Sequence, residues 1–423
     1  MLRTILPTTG LGSLAWLGVL AWLAPPARGE ITVSTDFEGA SAKVHAIDQG
    51  TKTVRISPAG DPARGWPCWW YLRVDGLAPG ERLTLELVPN DALLVGPSRN
   101  RGKPLAPGWS QPQRAAISSD GKHWRQSEPG LAQSGRMLYA IPSEGGSLWL
   151  AWGPPFTPRD SARLVESLAK DCRGGEAIEL CRSNGDRPCP ALVLKEGDTA
   201  NEQRHGIWIQ ARQHAWESGA SWVCRGAAEW LASDDARARN LRERTEITIV
   251  PIMDIDSTAT GNGGKEALPQ DHNRDWTDRP HHAEVAAAQK HLLRLAGEKR
   301  LALFIDLHNP GPSDRQPFFY CCPDETLTDL GRRNLDRFLT ICRGELSGPL
   351  ALADRPRTSG ASYDPLWKQM SKNWVAAHAP PHAVAVTLET AWNTPDSTTD
   401  GYRTLGRQLG QAIEKYLRDD VRK

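Results

Sequence analysis

Three residues have the types and spacing of a metal centre. His214 and Glu217 lie three apart in ARQHAWES, where an apolar run gives way to a helical one, so an imidazole and a carboxylate can converge on one ion. A second imidazole, His308, closes the apolar run LALFIDLH. Two His and one Glu form a catalytic zinc set that leaves the fourth tetrahedral position open for water. Zinc brings the pKa of such a water to about 7. H-x-x-E alone says little, because charged residues three apart are common on helix surfaces; its place after one apolar run, with a His after another, carries the information. Glu389 ends a further run, AVAVTLE. A carboxylate is costly near a core unless it has a partner or a task. Beside an activated water it has the task of general base, then of proton carrier to a leaving amine. Between these runs, DHNRDW (271–276) offers Arg274, whose guanidinium fork suits a carboxylate, with the Asn273 amide as a neighbouring donor.

Such groups need a scaffold that gathers strand ends. From 156 to 423 the pattern alternates apolar strands with helices: a helix at 158–170, strand 206–211, helix 218–232, strand 246–253, helix 283–295, strands 301–307 and 383–388, and a closing helix at 404–417. This predicts an α/β domain with a largely parallel or mixed sheet, whose chemistry gathers at strand C-terminal ends. From 30 to 155 the strands are short and alternating, as in Leu83, Leu85 and Leu87, and turns such as Asp75-Gly76 and Asp120-Gly121 separate them. That segment predicts an all-β sandwich domain, with Trp66, Trp69 and Trp70 in its core.

The chain has 423 residues with 51 basic against 50 acidic side chains, a net charge of +1, which argues against nucleic-acid binding through a basic surface. Hydrophobic residues at 39% and charged residues at 24% exclude wholesale disorder. Residues 1–29 read as a signal peptide: Arg3, an apolar stretch at 11–24, then Ala27-Arg28-Gly29. An exported, periplasmic or extracellular protein is expected, touching no membrane beyond that segment; nothing fixes an oligomeric state. Eight cysteines leave disulfides open, and without a C-x-x-C they do not suggest a cysteine zinc site. His281 and His282 read as solvent-facing at a helix start, and His205 as structural.

Five ordered stretches, ARQHAWESGASW (211–222), VPIMDID (250–256), DHNRDW (271–276), FIDLH (304–308) and TLET (387–390), resemble the zinc carboxypeptidases of the carboxypeptidase A type. The likeness is to the branch of the cytosolic carboxypeptidases and their bacterial relatives, which also carries an N-terminal β-sandwich. The resemblance implies a mixed-sheet catalytic domain and one Zn2+ per chain, held by His214, Glu217 and His308. It makes Glu389 the general base, and Asn273 with Arg274 the clamp for a terminal carboxylate. Asp271 becomes the carboxylate that orients a ligand histidine, and Tyr363 a candidate for the substrate-proximal tyrosine. The branch has an oxyanion-stabilising Arg where this chain has Gly264; Lys265, or Arg315 from the loop after His308, are candidates to replace it. The implied activity is hydrolysis of a C-terminal peptide or isopeptide-like bond, with a peptide or protein C-terminus as partner. Relatives in the branch often act on glutamate, yet no basic specificity residue is assignable from sequence. Two alternatives stand beside this: an amidohydrolase of the desuccinylase or aspartoacylase type acting on N-acyl amino acids, and a catalytically weak peptide-binding relative.

Overall fold

The computed structural model describes residues 30–97, 100–200 and 203–423; the signal peptide read at residues 1–29 lies outside them. Short alternating strands form two five-stranded sheets. One runs in the order β1 (Thr32–Ser34), β4 (Tyr71–Leu77), β10 (Gly146–Ala151), β6 (Ala116–Ser118), β7 (Arg125–Gln126). The other runs β2 (Lys43–Asp48), β3 (Thr53–Ser57), β5 (Arg82–Leu87), β9 (Arg136–Pro142), β8 (Leu131–Gln133). Neighbours are antiparallel except β3 and β5, which pair in parallel. Leu83, Leu85 and Leu87 are fully buried against Leu72, Val74 and Leu150 of the opposite sheet. The period-two pattern thus buries one face of each sheet in a shared core, as in a sandwich. Trp66, Trp69 and Trp70 belong to that core.

The rest of the chain builds an eight-stranded mixed sheet. Its order is β11 (Gly175–Arg182), β12 (Pro188–Leu194), β14 (Thr245–Val250), β13 (His205–Ala211), β15 (Leu301–His308), β18 (Val384–Glu389), β16 (Phe318–Cys321), β17 (Arg357–Thr358). The central strands β14, β13, β15 and β18 are parallel, so their C-terminal ends meet at one edge. They are buried on both faces, which is why they read as unbroken apolar runs. Ile207, Ile209, Leu303, Ile305 and Leu307 point to one face, covered by α1 (Pro158–Asp171), α2 (Ser218–Leu231), α3 (Ala236–Arg244), the short α4 (Ile255–Ala259), α6 (Asp329–Glu345) and α8 (Thr399–Tyr416). Trp208 and Phe304 point to the other, covered by α5 (Ala283–Gly297) and α7 (Ser371–His378). Helix α1 starts where Thr157 and Asp160 form a reciprocal capping box around Pro158.

The two parts share a tryptophan seam. Trp152 packs edge-on to Trp216 at 5.1 Å and to Trp392 at 4.5 Å, and Trp216 stacks on Trp392 at 5.7 Å. All eight cysteines are free thiols, seven of them buried. No helix among the described residues is long and apolar enough to cross a membrane.

Candidate active site

The parallel register places His308, the last residue of β15, directly beside Glu389, the last residue of β18. The chain leaves β13 at Arg212, which adopts a left-handed backbone (φ 65°) and is buried. Its guanidinium donates to the carbonyl of Ala215 at 2.7 Å and to that of Phe156, shaping the loop that carries His214. Glu217 precedes α2 at the capping position but makes no capping bond; its carboxylate turns to the histidines instead. One oxygen lies 2.8 Å from His214 Nδ1 and the other 2.7 Å from His308 Nδ1. All three side chains are buried, and one ligand atom from each lies within 4.8 Å of the others.

The outward nitrogens are held as well. His214 Nε2 lies 3.1 Å from Asp271 Oδ1, and His308 Nε2 lies 3.0 Å from Asp306 Oδ2. A carboxylate on Nε2 keeps the proton there and leaves the Nδ1 lone pair for an ion. Asp271 also accepts the backbone N–H groups of Asn273 and Glu266. Asp306 accepts the Ser371 hydroxyl and the Gln213 and Gln210 amides. Burial works against the Glu217 carboxylate, but the His214 and His308 imidazoles outweigh it and hold its pKa well below the usual range. Three carboxylates converging on two imidazoles fit a divalent cation: two neutral nitrogens and a carboxylate oxygen are a zinc donor set. Burial pushes the Glu389 carboxyl up to about 7, and its Oε2 has no hydrogen-bond partner among the described residues. A pKa near neutrality is that of a working general base.

The cleft in front of these groups is lined by Trp109, Lys265, Arg274, Tyr320, Tyr363 and Lys372, among others. Arg274 donates from Nε and Nη2 to Asp364 Oδ2, at 3.1 and 2.9 Å. Tyr363, on the same loop, is 47% exposed at the rim, its ring 5.2 Å from that of Tyr320. Asn273 lines the cleft beside Arg274. Its side-chain carbonyl accepts the N–H of Ser371, and its amide nitrogen, 3.3 Å from the protonated Nε2 of His308, is left as a donor at the cleft. Arg315 does not reach the cleft, since it is tied to the carbonyls of Pro312 and Trp392 and to Gln113. Lys265 does line it, with its ammonium 5.4 Å above the Trp66 ring.

Gly264 shows why no arginine stands at its position. Its φ is +78°, and an added Cβ would fall 2.3 Å from Asp254 Oδ2 and 2.7 Å from the backbone nitrogen of Ala215. His205 sits at the start of β13, away from the cleft, 3.6 Å from Asp420. His282, read as solvent-facing, is half-buried and stacks on buried His272. Two residues at the site escaped the sequence reading. Asp306 sits two residues before His308 on one strand face, a spacing that could have shown it. Lys372 is buried at the start of α7; its ammonium donates to Ser359 Oγ and Asn373 Oδ1 and pairs with no carboxylate among the described residues. No local pattern marked it.

Fold and site together define a metallohydrolase built on a mixed α/β sheet, with its ion site at the strand ends. The zinc carboxypeptidase family profile matches residues 165–390, more than half of the chain, and the chain belongs to that family of zinc hydrolases. Human (Homo sapiens) cytosolic carboxypeptidase 4 is 29% identical over 227 residues, 48% of this chain and 20% of that protein. Mouse (Mus musculus) cytosolic carboxypeptidase 1 is 24% identical over 316 residues, 64% of this chain and 26% of that protein. The chain thus spans about a fifth to a quarter of the length of these relatives. The crystal structure of a metallo-carboxypeptidase from Burkholderia cenocepacia superposes with a TM-score of 0.74 at 22% identity, covering 92% of this chain and 99% of that one. That likeness shows the shared fold, sandwich included.

Proposed function

We propose that this protein is an exported zinc carboxypeptidase that removes a C-terminal residue from a peptide or protein, holding one zinc with His214, Glu217 and His308. The observation that carries the reading is the convergence of two Nδ1 atoms on the two oxygens of Glu217, with Glu389 in the same cleft. Zinc, when bound, polarises a carbonyl and lowers the pKa of water. Glu389 takes the proton from the attacking water and delivers it to the leaving amine. Arg274 grips the terminal carboxylate of the substrate, exchanging its bond to Asp364 for one to the ligand. Asp271 and Asp306 fix the tautomer of the two histidines, and the Asn273 amide adds a donor to the Arg274 grip. Lys265 places a positive charge on the side of the cleft where the family's arginine would act, and Tyr363 closes over the substrate from the rim.

Lys372 sets the side-chain preference. A buried ammonium without a carboxylate partner, lining the cleft beside Arg274, selects a residue with an acidic side chain. Export rests on the apolar stretch at residues 11–24.

The test is digestion of a peptide library by the zinc-loaded protein, read by mass spectrometry, beside a panel of N-acyl amino acids. Loss of single C-terminal Glu or Asp residues is expected, abolished by Glu389→Gln and redirected toward apolar residues by Lys372→Met. Turnover of the N-acyl amino acids alone would make it a small-molecule amidohydrolase. Equal peptide binding by wild type and Glu389→Gln, with no cleavage by either, would make it a binding protein.

A further inference from the structure

Two cysteines meet across the hairpin at the edge of the catalytic sheet. In the antiparallel pairing of β11 with β12, Cys181 stands directly opposite Cys189, and both are free thiols in this structure. Opposed residues of such a pair put their side chains on one face, with Cα atoms about 4.5–5.5 Å apart. A disulfide spans Cα separations of about 4.4–6.8 Å, so the backbone can take one without rearrangement. Both side chains enter the same apolar cluster, Cys189 fully buried and Cys181 at its partly exposed margin. Their sulfurs touch: the Cys181 thiol, as hydrogen-bond partner, is the foremost influence raising the pKa of Cys189, ahead of burial. No other strand pairing among the described residues sets two cysteines opposite each other. Cys321 and Cys322 are neighbours along an extended chain and so point apart. Cys321 packs under one face of the sheet, while Cys322 turns to the carbonyls of Lys372 and Ala385 on the other.

We propose that Cys181 and Cys189 are a disulfide site, closed when the chain meets a small disulfide of the oxidised-glutathione class. Cys181, the accessible sulfur, attacks that disulfide as a thiolate; the small S–S bond breaks, a mixed S–S bond to Cys181 forms, and one thiolate leaves. Cys189 then attacks Cys181 Sγ, forms the bond between the two cysteines and expels the second thiolate. The protein thiols give up two electrons and two protons, and the small disulfide takes them up as two thiols. The export proposed above favours the closed form, while the site is independent of the carboxypeptidase reading. What the bond braces is the hairpin tip. Ser183 Oγ, the N–H of Gly185 and the Arg187 guanidinium each donate to the Asp256 carboxylate at 2.8 Å, and Asn184 donates to the His281 carbonyl at 2.9 Å. Asp256 lies in α4, from which the chain runs on to Lys265 and the Asp271–Arg274 turn of the cleft. The tip thus anchors the segments that carry those side chains, and a cross-link at its neck joins both of its ends.

The test starts from the purified full chain, reduced, freed of reductant and incubated folded with oxidised glutathione. It is then alkylated in denaturant, digested with trypsin without reduction and read by mass spectrometry. Cleavage after Arg182 puts the two cysteines on separate peptides. Those two peptides should appear joined and two hydrogens lighter than their sum, with two fewer alkylated thiols than the eight of the reduced chain. Cys189→Ala, lacking the second sulfur, should retain glutathione on Cys181. Cys181→Ser should show neither a link nor glutathione at Cys189, and it serves where Cys189→Ala fails to fold because it alters only the partly exposed partner. Oxidation of wild type should slow amide hydrogen exchange over 183–187, a difference that Cys181→Ser abolishes. Both cysteines alkylated in wild type after oxidation, glutathione accumulating on wild-type Cys181, or Cys181 joined to a different cysteine overturns the proposal. Exchange over 183–187 that oxidation leaves unchanged overturns the brace. Peptidase activity enters none of these readings, so failure of the carboxypeptidase reading leaves them intact.

Discussion

Glu389 and Glu217 show how position divides labour between like groups. Both are buried carboxylates at strand or helix ends, but two imidazoles hold Glu217 ionised while burial raises Glu389 toward neutrality. One is thereby suited to hold a cation, the other to move a proton. Asp271 acts only through His214, so its loss should weaken the ion rather than the chemistry. Asp271→Asn keeps the shape and removes the charge that fixes the imidazole tautomer. Zinc affinity measured against a competing chelator should fall about 10–100-fold, with kcat at saturating zinc much less affected. An unchanged affinity would show that His214 needs no such partner. The same carboxylate logic was legible in the sequence for Asp271, which stands in a motif, but not for Lys372. The lysine's meaning depends on burial at the start of α7 after an irregular loop, and an isolated lysine in a polar stretch carries no mark of that.

At the scale of elements, the apolar strands were legible because double-sided burial leaves a continuous hydrophobic run, as in LALFIDL of β15. The hairpin β11–β12 was not. Its strands mix Glu, Cys and Pro with apolar residues, and pairing with each other and with β14 rather than periodicity makes them strands. The same ambiguity misjudged His282: a helix-start histidine looks solvent-facing until the 271–274 turn packs on it. Elements are also joined by charge. Glu246 on β14, 7% exposed, accepts from Arg300 at 2.6 Å and from Arg294 of α5, with His291 beside it. Burial opposes the carboxylate, but these three partners prevail and hold its pKa well below the ordinary 4.5. A depressed pKa means stability that is whole above 4.5 and lost as pH falls below it toward the folded value. Glu246→Gln should therefore cost about 3 kcal/mol at neutral pH in urea unfolding, because it strands buried arginine charge. The gap to wild type should narrow toward pH 3. A gap independent of pH would mean that the carboxylate's charge is not what matters.

For the whole molecule, the shared tryptophan seam predicts that the sandwich and the catalytic sheet unfold as one cooperative body. The seam of Trp152, Trp216 and Trp392 belongs to the sandwich core while two of its members flank the ion site: Trp216 next to Glu217, and Trp392 three residues past Glu389. Trp109 of the sandwich lines the cleft itself. Trp152→Ala should cost about 3–5 kcal/mol and shift a single unfolding transition seen by both tryptophan fluorescence and far-ultraviolet dichroism. Two separated transitions would show independent domains. The central claim concerns the ion that everything in the cleft faces. Anomalous diffraction at the zinc edge, from crystals of the zinc-loaded protein, tests it most directly. The account predicts a strong peak within bonding distance of Nδ1 of His214, Nδ1 of His308 and the Glu217 carboxylate, with Glu389 across from it. A fully loaded protein with no peak at that point, or with His308 turned away from the other two, would contradict it.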